Sequence, residues 1–449
     1  MSPWTSSTAR SRIILTITSG LQCCQDVDVQ GVASSADGPV GDPSDGAGPL
    51  CYDAHKPART CLPSTGERPV AARPTTKIVR ILIDYRPALR HRTGVGLWVA
   101  RLVDALARLG SAGPDLTVFS SSWKDRLTTT LPAGVRRVDR RVPVQCLNWL
   151  WHRQEWPPVE LLAPGPFDVV HSPTPLMVPT RSAARVVTIH DVDFLAHPER
   201  GVREIRRDYA RLAQAHAHRA DVVVVPSHYT GDQVATRLDL SPERIVVCPN
   251  GPPGWPTRAD TSRGKHLLFV GTVSARKNVD RLLDAYARVR ATQPQVPPLV
   301  LAGTLSPDDA AVLAPLGQPP LAGHVRHEGY VDDERLRALY EQAVGLILPS
   351  LDEGFGIPAL EAMELGVPVL AARCGALPEV VGEAGLLVDP LDVEALATGI
   401  RRLVTDDELC RRLSAAGPVQ ARRFSWRASA ERLRSAYEVA IERRRAISP

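Results

Sequence analysis

Between Pro349 and Glu364 the chain reads Pro-Ser-Leu-Asp-Glu-Gly-Phe-Gly-Ile-Pro-Ala-Leu-Glu-Ala-Met-Glu, placing two carboxylates, Glu353 and Glu361, with seven residues between them. An apolar run ends near Pro349 and a glycine-bearing loop follows. Pro358 then suits the first turn of a helix, where its missing N–H costs nothing. Free backbone N–H groups and the helix dipole at such an end favour a phosphate or an electron-rich sugar oxygen. Helical side chains lean towards the N-terminus, which brings Glu361 back towards Glu353. Carboxylates accept hydrogen bonds from vicinal hydroxyls, and neighbouring glycines let a ligand approach. A helix start that simply prefers Glu explains the same residues equally well, and the pattern alone does not choose.

Two further groups close apolar runs. Arg276 and Lys277 follow the run 266–270, and His190 ends the run 186–189. Strand ends of this kind deliver side chains to the edge of a sheet, where open α/β sheets bind ligands. The plain alternatives are a basic surface loop and a satisfied structural histidine.

These residues need a scaffold, and the alternation of the sequence supplies one. Apolar runs at 78–84, 116–119, 168–170, 186–189, 222–225 and 245–247 alternate with helical stretches, notably 202–218 and 228–238. A helix after the first run carries Trp98, Leu102, Ala105 and Leu109 on one face. Apolar strands alternating with helices imply parallel strands covered on both sides. The cluster Pro249-Asn250-Gly251-Pro252-Pro253-Gly254-Trp255-Pro256 cannot continue a helix or a central strand, so it reads as a linker and a candidate hinge. Beyond it the alternation restarts at 266–270, 299–302, 345–348, 367–371 and 386–388, with Val279, Leu282, Leu283, Tyr286 and Val289 at helical spacing. The expected fold class is α/β, with two Rossmann-like doubly wound domains facing across a cleft. They are assigned to residues 76–250 and 251–425, and a helix in 426–449 packs back across them through Trp426, Ala430, Leu433 and Tyr437. Residues 1–75 differ: the run 31–50 is mostly Ser, Gly, Pro, Asp and Ala, which cannot offset its ordering entropy, so a disordered tail is expected.

The Glu353/Glu361 spacing resembles the signature of retaining glycosyltransferases of the GT-B fold, specifically family four and its mannosyltransferase-like members. Several separate segments carry the resemblance, in order, over roughly residues 78–440. They are Thr188-Ile189-His190-Asp191, Val225-Pro226-Ser227, Val247-Cys248-Pro249-Asn250-Gly251, and Phe269-Val270-Gly271-Thr272-Val273-Ser274-Ala275-Arg276-Lys277-Asn278. Gly329-Tyr330-Val331, Leu377-Pro378-Glu379-Val380 and Gly385-Leu386-Leu387-Val388-Asp389-Pro390 follow. The resemblance implies that Glu353 binds the hydroxyls of the donor hexose and Glu361 the nucleotide ribose. It implies that Arg276 and Lys277 neutralise the donor diphosphate, where charge develops as the nucleotide departs. It also places His190 against the transferred sugar, and Gly354, Phe355, Gly356 and Val331 against the donor. Through it, Gly94 and Gly96 let backbone amides approach the donor phosphate or the acceptor. One departure stands out: Thr272 occupies a position where some members carry Arg, so Arg276 must supply the second cation.

Other motifs are weaker. Gly94-Val95-Gly96 is half of a dinucleotide fingerprint, but position 99 is Val and Phe119-Ser120 stands where a ribose-binding acid would close the second strand, so a nicotinamide enzyme is not expected. Asp191-Val192-Asp193 has the D-x-D form that binds metal in the other major glycosyltransferase architecture. The same triplet recurs by chance at Asp26-Val27-Asp28, and tandem α/β domains do not suit that architecture; no metal and no cofactor is expected. The stretch 146–156, with Trp149, Trp151 and Trp156 near Arg136, Arg137, Arg140 and Arg141, reads as a core helix in preference to a membrane-surface patch. Arg203, Arg206, Arg207 and Arg211 read as a solvated basic face.

Composition bounds the partners. The 449 residues are 44% hydrophobic and 23% charged with net charge +5, and aromatics are sparse, which argues against nucleic-acid binding. No stretch approaches the ~20 apolar residues of a membrane span. The run 13–17 behind Arg10 and Arg12 is too short and Thr-rich for a signal peptide. Cys23, Cys24, Cys51 and Cys61 fall in the first 61 residues, and Cys146, Cys248, Cys374 and Cys410 are scattered singly, which fits a reducing cytoplasm. The resulting expectation is a cytoplasmic retaining hexosyltransferase of cell-surface polysaccharide biosynthesis, peripheral to the inner membrane face at most. It uses a nucleotide-diphosphate sugar, GDP-mannose favoured, and a glycan, glycolipid or small-molecule acceptor. A sugar-nucleotide epimerase on the same scaffold and a non-catalytic binding module are the rivals.

Overall fold

The computed structural model describes residues 78–89, 94–128, 130–196, 208–258 and 264–447. The expected tail and Arg203, Arg206 and Arg207 lie outside the described residues. Strands β1 (Arg80–Asp84), β2 (Asp115–Ser121), β3 (Arg136–Arg140), β4 (Val169–Ser172), β5 (Ala184–Thr188), β6 (Val222–Val225) and β7 (Ile245–Val247) build the first sheet. Strands β8 (His266–Val270), β9 (Leu299–Ala302), β10 (Val325–Gly329), β11 (Ala343–Leu348), β12 (Val369–Ala372) and β13 (Leu386–Val388) build the second. Among the described residues the orders are β3-β2-β1-β4-β5-β6-β7 and β10-β9-β8-β11-β12-β13, and every pairing is parallel. This is the GT-B architecture of two doubly wound domains.

Burial explains why the strands read as continuous apolar runs. In β1, Ile81 and Ile83 enter one core while Leu82 enters the core on the opposite face. In β8, Leu268 faces one core and Leu267 and Phe269 the other. A strand covered on both sides has no polar face, so its sequence loses the alternation of a half-exposed strand. Two strands were not expected, β3 and β10. Both lie at sheet edges, and their sequences Arg-Arg-Val-Asp-Arg and Val-Arg-His-Glu-Gly are partly exposed. Charged edge strands are a common defence against edge-to-edge pairing.

Strand order reverses twice, around β1/β4 and around β8/β11, and ligands bind outside the carboxyl ends at such switch points. In the second domain, Arg276 and Lys277 follow β8 and Glu353 follows β11, so both groups flank its switch point. In the first, β1 is followed by the helix Val95–Ala107, whose N-cap is Gly94. The final helix, Trp426–Ile447, packs Ala430, Leu433, Ala436, Tyr437 and Ala440 into the core of the first sheet. Tyr437 donates or accepts a 2.8 Å hydrogen bond with His171 Nδ1, and Trp426 Nε1 donates to the Pro252 carbonyl at 3.1 Å.

Candidate functional site

The carboxylate loop is built by local sequence. After β11, Gly356 adopts φ +100° as N-cap of the helix Ile357–Leu365, a conformation that L side chains rarely adopt. That helix buries Ala359, Leu360, Glu361, Ala362, Met363 and Leu365, so it is an internal element and carries Glu361 inside with it. Asn278, fully buried and left-handed, fastens the opposite wall: its Nδ2 donates to the carbonyls of Pro349 (3.0 Å) and Pro390 (2.8 Å). The Leu351 N–H donates to the Arg276 carbonyl at 2.9 Å. The cationic turn and the carboxylate loop are thus one unit.

Within that unit Lys277 Nζ donates to Glu353 Oε1 at 2.5 Å, and Ser350 Oγ donates to the same oxygen at 2.7 Å. Glu353 is 6% exposed. Burial pushes its pKa up, but Lys277 and Arg276 outweigh it and hold the carboxyl below its ordinary value. Arg276 donates to the Asp352 carbonyl at 3.0 Å and stands 3.9 Å from Glu353 Oε2, Asp191 Oδ2 and Asp193 Oδ2. Burial opposes its charge, yet Glu353, Asp191, Asp193 and Asp352 together raise its pKa. The Asp191-Val192-Asp193 triplet of the first domain therefore faces a guanidinium of the second.

Glu361 sits in different surroundings, where the charge of Arg101 only weakly lowers its pKa. It is 6% exposed and accepts from Tyr340 Oη at 2.8 Å. Burial pushes it up to about 7, against the Tyr340 hydrogen bond, with Asp333 and Glu364 adding to the rise. His190 is pushed down to about 4, chiefly by burial, so its ring is neutral near pH 7. Its Nε2 lies 3.1 Å from the Pro173 carbonyl, which can only accept; Nε2 therefore carries the hydrogen and Nδ1 is left as an acceptor. Trp98 packs edge-on against the ring at 4.9 Å.

A cleft of about 430 Å³ joins these groups. His190, Arg276, Lys277, Glu353 and Glu361 line it, as do Gly94, Gly354, Phe355, Gly356 and Val331. Gly96, buried in the first turn of its helix, is not among the residues that line it. Trp151 is fully buried as the core reading requires, but Trp149 and Trp156 on the same stretch are 59% and 58% exposed. Several cleft groups carried no assignment from sequence. Arg101 lines the cleft and its charge acts on Glu361 and Glu364. Asn250, 3% exposed, lines it with an amide oxygen that has no partner among the described residues. Asn250 lay inside a motif segment, but Arg101 had no signal beyond its place on an amphipathic helix.

Comparison with known proteins agrees with this geometry. The family described as "Glycosyl transferases group 1" matches residues 259–420, and "Glycosyltransferase Family 4" matches residues 92–252. The O-antigen chain mannosyltransferase B of Escherichia coli is 31% identical over 283 residues, covering 60% of this chain and 74% of that protein. The MMP alpha-(1->4)-mannosyltransferase of Mycolicibacterium hassiacum is 31% identical over 307 residues, covering 62% and 72%. Among solved structures, sucrose-phosphate synthase from Thermosynechococcus elongatus superposes with TM-score 0.64 at 23% identity, over 81% of this chain and 98% of that one. With two family matches spanning both sheets and a cleft lined by the signature carboxylates, the chain belongs to the group 1, family-four glycosyltransferases of the GT-B fold.

Proposed function

We propose that this glycosyltransferase moves mannose from GDP-mannose to a hydroxyl of a glycan, glycolipid or small molecule, with retention and without a metal. The observation that carries the reading is the Lys277–Glu353–Arg276 cluster in the cleft. Glu353 keeps its charge and, among the described residues, its second oxygen stands 3.9 Å from Arg276, which leaves it able to accept from sugar hydroxyls. Arg276 and Lys277 meet the donor diphosphate, and Glu361 takes the ribose. His190 offers neutral Nδ1 to a hydroxyl of the transferred sugar. The names of the two mannosyltransferase relatives support the sugar.

In the step itself the bond from C1 to the leaving phosphate oxygen breaks and a bond from C1 to the acceptor oxygen forms on the same face. The acceptor proton passes to the departing diphosphate. The cations of this chain stabilise the growing negative charge, the task a metal performs elsewhere, and Asp191 and Asp193 each stand 3.9 Å from Arg276. A transfer assay over GDP-mannose, UDP-glucose and UDP-N-acetylglucosamine, with product anomers read by NMR, tests the reading. Turnover confined to a UDP donor, an inverted product, or an epimer formed from donor alone overturns it. EDTA leaves the rate unchanged; loss restored by manganese would return the aspartates to a metal role.

Contact with the inner membrane face at a cytoplasmic location is part of the proposal. Exposed Trp149 and Trp156 with Arg153 and Arg141 on the stretch 141–156 support it, because indoles and guanidinium groups suit the headgroup region. Co-sedimentation with anionic vesicles, reduced in Trp149→Ala/Trp156→Ala, is the expected result; equal recovery of both proteins removes it. Among the described residues no helix is long and apolar enough to cross a membrane.

A further inference from the structure

The loop that carries Glu353 belongs to the second domain, yet the first domain holds it. Ser227 Oγ donates to the Gly354 carbonyl at 2.6 Å and Thr230 Oγ1 donates to the same oxygen at 2.9 Å. Tyr229 Oη donates to Asp352 Oδ1 at 2.9 Å. In the opposite direction, Glu379 accepts from the backbone N–H groups of His228 (3.2 Å) and Tyr229 (3.3 Å) and lies 3.0 Å from His228 Nδ1. Those N–H groups open the helix His228–Arg237 and have no partner within it, so a carboxylate there satisfies them and the helix dipole together. A second-domain carboxylate thus caps a first-domain helix.

The fit at Gly354 is tight. A Cβ at that position would stand 1.9 Å from the His190 carbonyl oxygen, so only glycine lets the loop reach this strand end. Contact of the two domains therefore sets the distance between the Glu353 loop and His190. From Tyr229 the connection continues inward: Asp352, which receives the Tyr229 hydroxyl, gives its carbonyl to Arg276 and is followed directly by Glu353. The Lys277–Glu353 pair, by contrast, lies wholly within the second domain.

We propose that the first turn of the helix His228–Arg237, with Glu379 as its anchor, is a cross-domain latch that sets the reactive position of Glu353 and Arg276 against His190. Tyr229, Thr230 and Glu379 are positioning residues in it. The inference rests on the glycosyltransferase reading but on no choice of donor sugar. Its consequence is a division of labour. With the latch open, the second domain still binds the nucleotide, because its donor groups remain together. The sugar no longer meets the first-domain groups in register, so turnover falls.

Four single variants, Tyr229→Phe, Glu379→Ala, Thr230→Val and Thr230→Ser, and the double variant Tyr229→Phe/Glu379→Ala test this. Turnover is measured at saturating donor, nucleotide affinity by calorimetry with GDP and UDP, domain opening by small-angle scattering with and without nucleotide, and folding by thermal melts. Tyr229→Phe and Glu379→Ala each lower kcat about tenfold, the scale of one hydrogen bond to a charged group. The Kd for nucleoside diphosphate stays within about twofold, and Thr230→Ser retains the activity that Thr230→Val loses. The Tyr229→Phe/Glu379→Ala double variant loses little more than the worse single, since the contacts act as a unit. Its radius of gyration with nucleotide exceeds that of the wild type. Unchanged kcat, or kcat and nucleotide affinity falling together with the melting temperature, overturns the latch. If wild type turns over no donor, the glycosyltransferase reading fails separately, and an unchanged radius of gyration in the double variant then overturns the latch on its own.

Discussion

Glu353 and Glu361 are equally buried, at 6% exposure, and stand on one loop-helix segment, yet burial ends differently for each. Beside Glu353 a lysine at 2.5 Å and an arginine at 3.9 Å outweigh desolvation, and the carboxyl stays charged. At Glu361 burial dominates, Asp333 and Glu364 add to it, the Tyr340 hydroxyl and the Arg101 charge oppose it without prevailing, and the carboxyl rises to about 7. One corner of the cleft is organised around fixed charge and the other around a group that titrates near neutrality. Environments that push two like groups apart mark different tasks for them. The charged corner is suited to the donor sugar and its diphosphate, and the titrating corner to holding ribose hydroxyls.

The sharpest way to break that comparison is to remove each carboxylate charge without changing shape. Glu353→Gln lowers kcat/KM by more than about a hundredfold, because it removes the charged oxygen that accepts from the sugar hydroxyls and leaves Lys277 without its counter-charge. Glu361→Gln costs about tenfold and does so mainly in donor KM, as expected of hydroxyl binding felt equally before and during reaction. Steady-state kinetics with varied donor distinguishes them; equal losses in the same parameter would erase the distinction.

Lys277→Ala sharpens the charged corner. Attraction to a diphosphate whose charge grows as the sugar bond breaks strengthens towards the transition state, so kcat falls as well as donor affinity. A loss on the order of 3 kcal/mol, roughly a hundredfold in rate, is the scale for one such group. An unchanged kcat with only a raised KM confines Lys277 to ground-state binding. Arg276→Lys probes geometry: Arg276 reaches a carbonyl and three carboxylates of both domains, which a single ammonium cannot match, so that variant also loses activity.

The same contrast shows how far sequence carries. Strands buried on both faces, such as Val222–Val225, are legible because burial leaves an unmistakable apolar run. The edge strands β3 and β10 are not, because half-exposed charged strands look like loops. Glu353, Lys277 and His190 are legible from motif segments that end strands. The roles of Ser227, Tyr229 and Glu379 are not, although Ser227 and Glu379 sit in such segments, because their partners lie more than a hundred residues away and meet only when two domains close. That Glu361 would be neutral-prone while Glu353 stays charged also escapes sequence, since it depends on which side chains happen to surround each carboxylate.

Stability against pH separates the corners by sign. A carboxyl whose folded pKa is raised binds its proton more tightly when folded, so Glu361 makes stability fall as pH rises from about 4.5 to about 7. The full difference is on the order of 3 kcal/mol. Glu353, with its pKa lowered, contributes stability present above its ordinary value and lost as pH drops through the folded one. Glu361→Gln therefore gains on wild type between pH 5 and pH 8 in thermal melts, whereas Glu353→Gln shows its deficit at neutral pH and narrows it in acid. A flat difference across this range for Glu361→Gln would place its pKa near the ordinary value.

The smallest effect belongs to Tyr340→Phe. Its hydroxyl donates to Glu361 Oε2 at 2.8 Å and lies 3.3 Å from the Pro358 carbonyl, within a fully buried side chain. Burial and the neighbouring Glu361 hold the phenol well above its usual pKa, so it remains a donor throughout the range that matters. A hydrogen bond to the ionised carboxylate is worth more than one to the neutral acid, by about 1 kcal/mol. Removing it therefore raises Glu361 further and moves the fall in stability to higher pH. At pH 6, where Glu361 is mostly protonated, the variant loses only a little packing and one neutral bond. At pH 9, where the carboxylate is forced to ionise, the loss is larger, and nucleotide affinity falls with it. Melts and GDP titrations at these two pH values check the point. An equal penalty at both would mean that the Tyr340 hydroxyl does not distinguish the two states of Glu361, and the titrating corner would then be set by burial alone.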